Sequence, residues 1–375
     1  MKYMGSKRAM LQNGLGDLLI RETLSAHRFV DLFAGSGAVA TYVAIRFPIP
    51  VLAFDLQHYS AVLAGAVINR QTKFKWQSAW KNWRRRAESF FNAYKIPVAN
   101  SLTRVIVSDF RMWCDQQTEL PITQAYGGHY FSPKQTVWID SLRVSLPKHE
   151  PIRTVALAAL IQAASQCAAA PGHTAQPFQP TRTAKRFLKE AWDRDIVGKT
   201  RTAFELLAAQ FAQQRGQAMV ADANSAALQM HEGDVAFIDP PYSGVHYSRF
   251  YHVLETIADG NCGEVTGVGR YPAREKRPRS KYSVSSESGE ALCDLLAKIS
   301  TRGVRAILTF PDHDCSNGLS GNLVRETATQ FFYVREEQVE SAFSTLGGTG
   351  DKRDNQAGRA ARKHAKELML ILEPK

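Results

Sequence analysis

The sequence predicts an α/β protein in which a largely parallel sheet is interrupted by a helical insertion. Three observations carry this. A buried strand, a glycine turn and a helix follow one another from Arg28 to Arg46; a second strand closes a β-α-β unit at Asp55; and strand-helix alternation disappears over about residues 86 to 216. The first strand is Arg28-Phe29-Val30-Asp31-Leu32-Phe33, followed by Ala34-Gly35-Ser36-Gly37 and the helical pattern of Ala38 to Arg46. Val51-Leu52-Ala53-Phe54 is the second strand, and it ends on Asp55, 24 positions after Asp31. An acidic residue at that distance from a strand-glycine-helix turn implies a nucleoside ligand. Further strands are expected at Ala218 to Ala221, Val235 to Ile238, Ala306 to Thr309 and Glu367 to Leu372.

The organisation that follows is a first sheet part over residues 1–85, the helical insertion over 86–216 and a second sheet part over 217–375. The insertion is richer in Gln, Ala, Trp and Arg, and its Pro-Gly-rich centre, from Pro171 to Pro180, reads as a loop. Its most apolar run, Val155 to Ala170, is broken by Gln162, Ser165 and Gln166, so it is expected to be a buried helix rather than a membrane span.

With 375 residues, 44% hydrophobic and 22% charged, the chain is long and apolar enough for a sizeable core, which excludes a disordered or fibrous protein. Lys and Arg outnumber Asp and Glu by 47 to 35, a net charge of +12 that favours polyanionic partners. The surplus is clustered. Lys73 to Lys95 carries Arg84, Arg85 and Arg86 with Trp76, Trp80 and Trp83 between the charges, and Arg270 to Lys281 carries Arg274, Lys276 and Arg277. Both clusters are expected to contact nucleic-acid phosphates. The five cysteines are scattered and form no C-x-x-C pair, which suits a reducing cytoplasm. Met1 to Arg8 has no apolar stretch behind its charges, so no secretory signal is expected.

The chemistry is concentrated in Asp239-Pro240-Pro241-Tyr242, which directly follows the apolar strand Val235 to Ile238 and so lies at the carboxyl end of a parallel strand, where ligands bind. A carboxylate, a rigid turn offering carbonyls without competing N–H groups, and a flat aromatic face together make a socket for a planar amine. A base swung out of a duplex could stack on Tyr242 while its amino group donates to Asp239 and the Pro240 carbonyl.

These motifs, in this order, resemble the DNA adenine methyltransferases of the alpha group, in which the target-recognition domain is inserted ahead of the catalytic motif. Lys2-Tyr3-Met4-Gly5-Ser6-Lys7-Arg8 is similar to the family's first cofactor segment, Asp31 to Gly37 to its glycine loop, and Gly233 to Tyr242 to its catalytic motif. The resemblance implies a Rossmann-like S-adenosylmethionine-dependent sheet, no metal, and methyl transfer to the exocyclic nitrogen of an adenine in double-stranded DNA. Carried over by position, it implies that Tyr3 packs on S-adenosylmethionine, Lys7 holds its carboxylate, and Asp31, Phe33, Gly35, Gly37 and Asp239 border it. Asp55 would bind its ribose and Asn224 its adenine ring. The family often opens its glycine loop with Glu or Pro; the shorter Asp31 is expected to orient the loop. Tyr247 to Tyr251 resembles the aromatic stretch that helps to shape the base pocket.

The alternatives are an RNA base amino-methyltransferase and a non-catalytic DNA-binding protein of the same fold. Against the second stand Asp239 to Tyr242 and Asp55, all intact. A cytoplasmic monomer without membrane attachment is expected, with a cognate restriction nuclease or a defence system as possible partner.

Overall fold

The computed structural model describes residues 7–344 and 362–375. Among them are nine strands: β1 (Arg28–Asp31), β2 (Val51–Asp55), β3 (Gln217–Val220), β4 (Asp234–Ile238), β5 (Val265–Thr266), β6 (Tyr271–Pro272), β7 (Arg305–Pro311), β8 (Phe332–Ser344) and β9 (Arg362–Pro374). Seven of them form one sheet in the order β3-β2-β1-β4-β7-β9-β8. The five strands from β3 to β7 in that order are parallel, and β9 runs antiparallel to both of its neighbours. All five residues of β4 are buried, as a strand covered on both faces requires. Register between β1 and β4 is pinned at their amino ends, where Arg28 Nε and Nη2 donate to the two oxygens of the buried Asp234 at 2.8 and 2.6 Å.

Sheet order reverses between β1 and β4: β2 and β3 continue on one side, β7 on the other. Such a switch opens a crevice at the carboxyl ends of the two central strands. The chain leaves β1 through a turn in which Gly35 and Gly37 have φ of +50° and +71°, values side-chain-bearing residues rarely adopt, and enters the helix Ala38–Arg46.

The chain divides into two compact units. One holds the seven-stranded sheet, with residues 7–56, 216–247 and 279–375 as far as they are described; the other holds 57–215 and 248–278. The second is mainly helical and adds the small ribbon of β5 and β6. It starts near residue 57 and takes a further segment after the Asp239 turn. The reason is packing: the apolar helix His58–Ile68 lies against the buried helix Ile152–Cys167, which also packs on Ile196–Ala209. No helix among the described residues is long and apolar enough to cross a membrane.

Candidate active site

The site is built from the carboxyl ends of β1, β2 and β4. Asp31, the last residue of β1, is buried, and its Oδ1 accepts from the Phe33 N–H at 3.3 Å. Asp55, the last residue of β2, accepts through Oδ2 from the Gly35 N–H at 2.8 Å. Both carboxyl groups therefore hold the glycine loop. Burial, with Asp239 and Asp55 nearby, raises the Asp31 carboxyl to about 8. Phe33 meets Tyr282 edge to face, with ring centroids 5.0 Å apart.

Asp239 follows β4 directly and is anchored through one oxygen. Its Oδ1 accepts from Thr309 Oγ1 of β7 at 3.0 Å and lies 3.0 Å from the ammonium of the buried Lys7. Lys7 bonds in turn to Glu367 on β9. Oδ2 of Asp239 has no hydrogen-bond partner among the described residues. Burial raises the Asp239 carboxyl to about 6, Lys7 opposing the shift and Glu367 adding to it. For Lys7, burial acts to lower the pKa, but Asp239 and Glu367 more than offset it and hold the ammonium above its usual range.

The rest of the turn is fixed by the loop after β7. Asn317, fully buried, donates through Nδ2 to the Pro241 and Tyr282 carbonyls at 2.8 and 2.9 Å, and Ser316 Oγ accepts from the Gly244 N–H at 3.0 Å. Pro240 is buried and Pro241 partly so. Tyr242, half-buried, packs against the sheet's core and meets Tyr247 edge to face at 6.5 Å. Burial pushes the Tyr242 hydroxyl above its ordinary pKa.

The structure brings together Lys7, Asp31, Gly35, Asp55 and Asp239. Lys7, expected on the methionine carboxylate, pairs with Asp239 and Glu367. Asn224, expected on the cofactor's adenine ring, has its amide engaged elsewhere: Nδ2 donates to the Ala291 carbonyl and to Asp294, both at 2.8 Å, and Oδ1 accepts from Tyr282 at 2.7 Å. It is an anchor beneath the Tyr282 wall. Tyr3 lies outside the described residues. Glu367, Thr309 and Asn317 escape motif reasoning because each is a single polar residue in or after an apolar strand, brought to the turn only by sheet order.

In the helical unit, Trp80 and Trp83 are buried core residues, and Trp83 Nε1 donates to the Leu142 carbonyl at 2.9 Å. Arg84 and Arg85 are exposed, while Arg86 donates to the Ser145 carbonyl at 2.8 Å. Arg274 and Lys276 are exposed on a short turn, and the Arg277 guanidinium lies over the Tyr271 ring. Of the aromatic stretch after the turn, Tyr247 alone meets Tyr242; Phe250 and Tyr251 are buried in the helical unit. No group of three or more His, Cys, Asp or Glu among the described residues could hold a metal ion.

A switch point lined by carboxyl groups and an Asp-Pro-Pro-Tyr turn defines an α/β protein whose polar site lies at the carboxyl ends of its central parallel strands. The chain belongs to the D12 class N6 adenine-specific DNA methyltransferase family, which matches residues 3–116 and 147–302. The sheet is consistent with a methyltransferase fold. Relatives include modification methylase LlaI of Lactococcus lactis subsp. lactis, 24% identical over 307 residues, and type II methyltransferase M.FokI of Planomicrobium okeanokoites, 27% identical over 323 residues. These matches cover 80% and 81% of this chain but only 44% of each relative. Type II methyltransferase M.NlaIII of Neisseria lactamica is 26% identical, with 76% of this chain and 77% of the relative covered.

Proposed function

We propose that the protein transfers a methyl group from S-adenosylmethionine to the exocyclic amino nitrogen of an adenine extruded from double-stranded DNA. The observation that carries this is Asp239 itself, at the switch point beside the glycine loop, with Oδ1 held by Thr309 and Lys7 and Oδ2 without a hydrogen-bond partner among the described residues. The donor set fits the methyl donor: the carboxyl groups of Asp31, Asp55 and Asp239 lie at or just after the ends of β1, β2 and β4, which suits a ligand bearing ribose hydroxyls. When bound, S-adenosylmethionine supplies an electrophilic sulfonium methyl group. Asp55 and the glycine loop would hold its ribose and methionine parts, and Phe33 would border them.

The chain's own work is orientation. Asp239 Oδ2 accepts one amino hydrogen of the adenine and the Pro240 carbonyl accepts the other, which draws the nitrogen lone pair out of the ring and aims it. Tyr242 stacks on the base, an interaction worth roughly 1–3 kcal/mol. Lys7 and Thr309 hold Asp239 in one rotamer. The helical unit, with its exposed Arg84, Arg85, Arg274 and Lys276, binds the DNA and selects the target. The relatives' names, modification methylase and type II methyltransferase, support a role beside a restriction nuclease.

Incubation with labelled S-adenosylmethionine and mixed-sequence DNA tests the reading. Wild type should label DNA, and Asp239→Ala should lose about a hundredfold or more in transfer while still binding DNA. Near-normal transfer by a correctly folded Asp239→Ala protein would falsify the role of that carboxylate.

A further inference from the structure

The helical unit carries a groove of about 620 Å3 that the proposed methyl transfer does not use. That volume is in the range of small-molecule sites. Its walls combine the indoles of Trp80, Trp138 and Trp192 with the cationic side chains of Arg84, Lys134 and Arg201. The Trp138 plane is fixed by stacking on Phe91, with centroids 4.1 Å apart and planes 14° from parallel. Trp192 is buried, and its indole N–H has no hydrogen-bond partner among the described residues.

The charges in the groove are arranged for an anion. Asp193 and Asp195 also line it, but Asp193 pairs with Lys189 at 2.5 Å, and Asp195 accepts from the Val197 and Gly198 N–H groups, both at 3.0 Å. Lys134 and Arg201 have no carboxylate partner among the described residues, and Arg84 has only Glu88, 3.8 Å away. Flat aromatic faces beside uncompensated cations match one chemistry above others: an aromatic ring carrying a phosphate.

We propose that this groove binds a nucleotide unit, its base against Trp138 and Trp192 and its phosphate on Lys134, Arg201 and Arg84. The nucleotide belongs either to an unstacked position of a DNA strand or to a free mononucleotide. Only the first source rests on the proposed action on DNA. All six tryptophans lie between residues 76 and 192, so intrinsic fluorescence reports on this unit alone.

The experiment titrates the full chain with deoxyadenosine 5′-monophosphate, deoxyadenosine, inorganic phosphate and a short DNA oligonucleotide, following tryptophan fluorescence. Wild type is compared with Trp138→Ala and with the double variant Lys134→Ala/Arg201→Ala, whose replaced residues are exposed and whose folding is checked by circular dichroism. The proposal expects the monophosphate or the oligonucleotide to bind more tightly than nucleoside or phosphate alone. Affinity should fall at least about tenfold in both variants. A loss confined to the oligonucleotide identifies a strand nucleotide, and a loss confined to the monophosphate identifies a free one. Binding of both probes within about twofold of wild type in the double variant overturns the proposal. Methyl transfer to DNA by the same wild-type preparation is scored separately. Transfer with insensitive variants removes the groove and keeps the enzyme, whereas sensitive variants without transfer do the reverse.

Discussion

Asp239 is held through Oδ1 by Thr309 and Lys7, so the acid limb of the proposed reaction reads out its neighbours. Burial pushes its carboxyl up to about 6, Lys7 draws it down and Glu367 pushes it up. The ionised form is the stronger acceptor, and a proton on Oδ2 would turn that oxygen into a donor, so methyl transfer should fall as pH drops through about 6. Lys7→Gln removes the cation and should move this limb to higher pH; Glu367→Gln removes the repelling carboxylate and should move it to lower pH. Single-turnover rates against pH, with DNA and donor saturating, check both, and a limb unmoved in either variant belongs to another group. Asp31 makes a prediction for stability instead. Its folded value of about 8 lies above its ordinary 3.8, so the folded chain keeps a proton that the unfolded chain releases. The stability this contributes is complete below the lower value and is lost as pH rises through the upper one. Asp31→Asn removes the titration, so the wild-type Tm should decline relative to the variant between about pH 4 and pH 8 and level off above.

At the scale of elements, Arg70 joins the ends of two helices. Its Nε donates to the Ala66 carbonyl at 3.0 Å, in the last turn of His58–Ile68, and its Nη2 donates to the Leu207 and Gln210 carbonyls at the end of Ile196–Ala209. The residue is buried, and burial lowers its pKa to about 10. Arg70→Ala would leave several terminal carbonyls without partners and should destabilise the helical unit by about 3 kcal/mol. Arg70→Lys should recover little of that, because a point charge cannot span both ends. Urea unfolding followed by tryptophan fluorescence measures the loss in this unit. Elements of this kind divide into those the sequence discloses and those it hides. The strands Val51 to Phe54, Val235 to Ile238 and Ala306 to Thr309 are short apolar runs with polar residues at their exits, and each lies within the strand observed. The long strand β8 was not expected: it carries Arg335, Glu336 and Glu337 on the sheet's edge, where one side meets no strand and polar residues are tolerated. Asp31, Gly35, Asp55 and Asp239 were legible because each follows a strand that announces itself. Glu367 sat within an expected strand, yet its tie to Lys7 depends on β9 entering between β7 and β8, which no local pattern specifies.

For the whole molecule, the net charge of +12 is divided by the fold into cations that build structure and cations left exposed, which the proposed function assigns to DNA. Arg270 is of the first kind: it donates to the Ala125 and Gln124 carbonyls, both at 2.8 Å, and pairs with Asp115 at 3.0 Å. Arg279 pairs with Glu287, and Arg86 is tied to Ser145. Arg84, Arg85, Arg274 and Lys276 are exposed. Every B-DNA phosphate that a cation ceases to neutralise reduces the slope of log affinity against log salt by about 0.9. Replacing Arg84, Arg85 and Arg86 together with Ala should therefore weaken binding to every sequence and flatten that slope by up to about 2 to 3, with Arg86 contributing least. Arg274→Ala/Lys276→Ala should act in the same way by up to about 2, whereas Arg270→Ala should lower the unfolding midpoint of the helical unit and leave the slope unchanged. Equilibrium binding of one duplex over a series of salt concentrations separates these cases. A changed sequence preference at constant slope in the Arg84, Arg85, Arg86 variant would place those side chains on base edges instead of on the backbone.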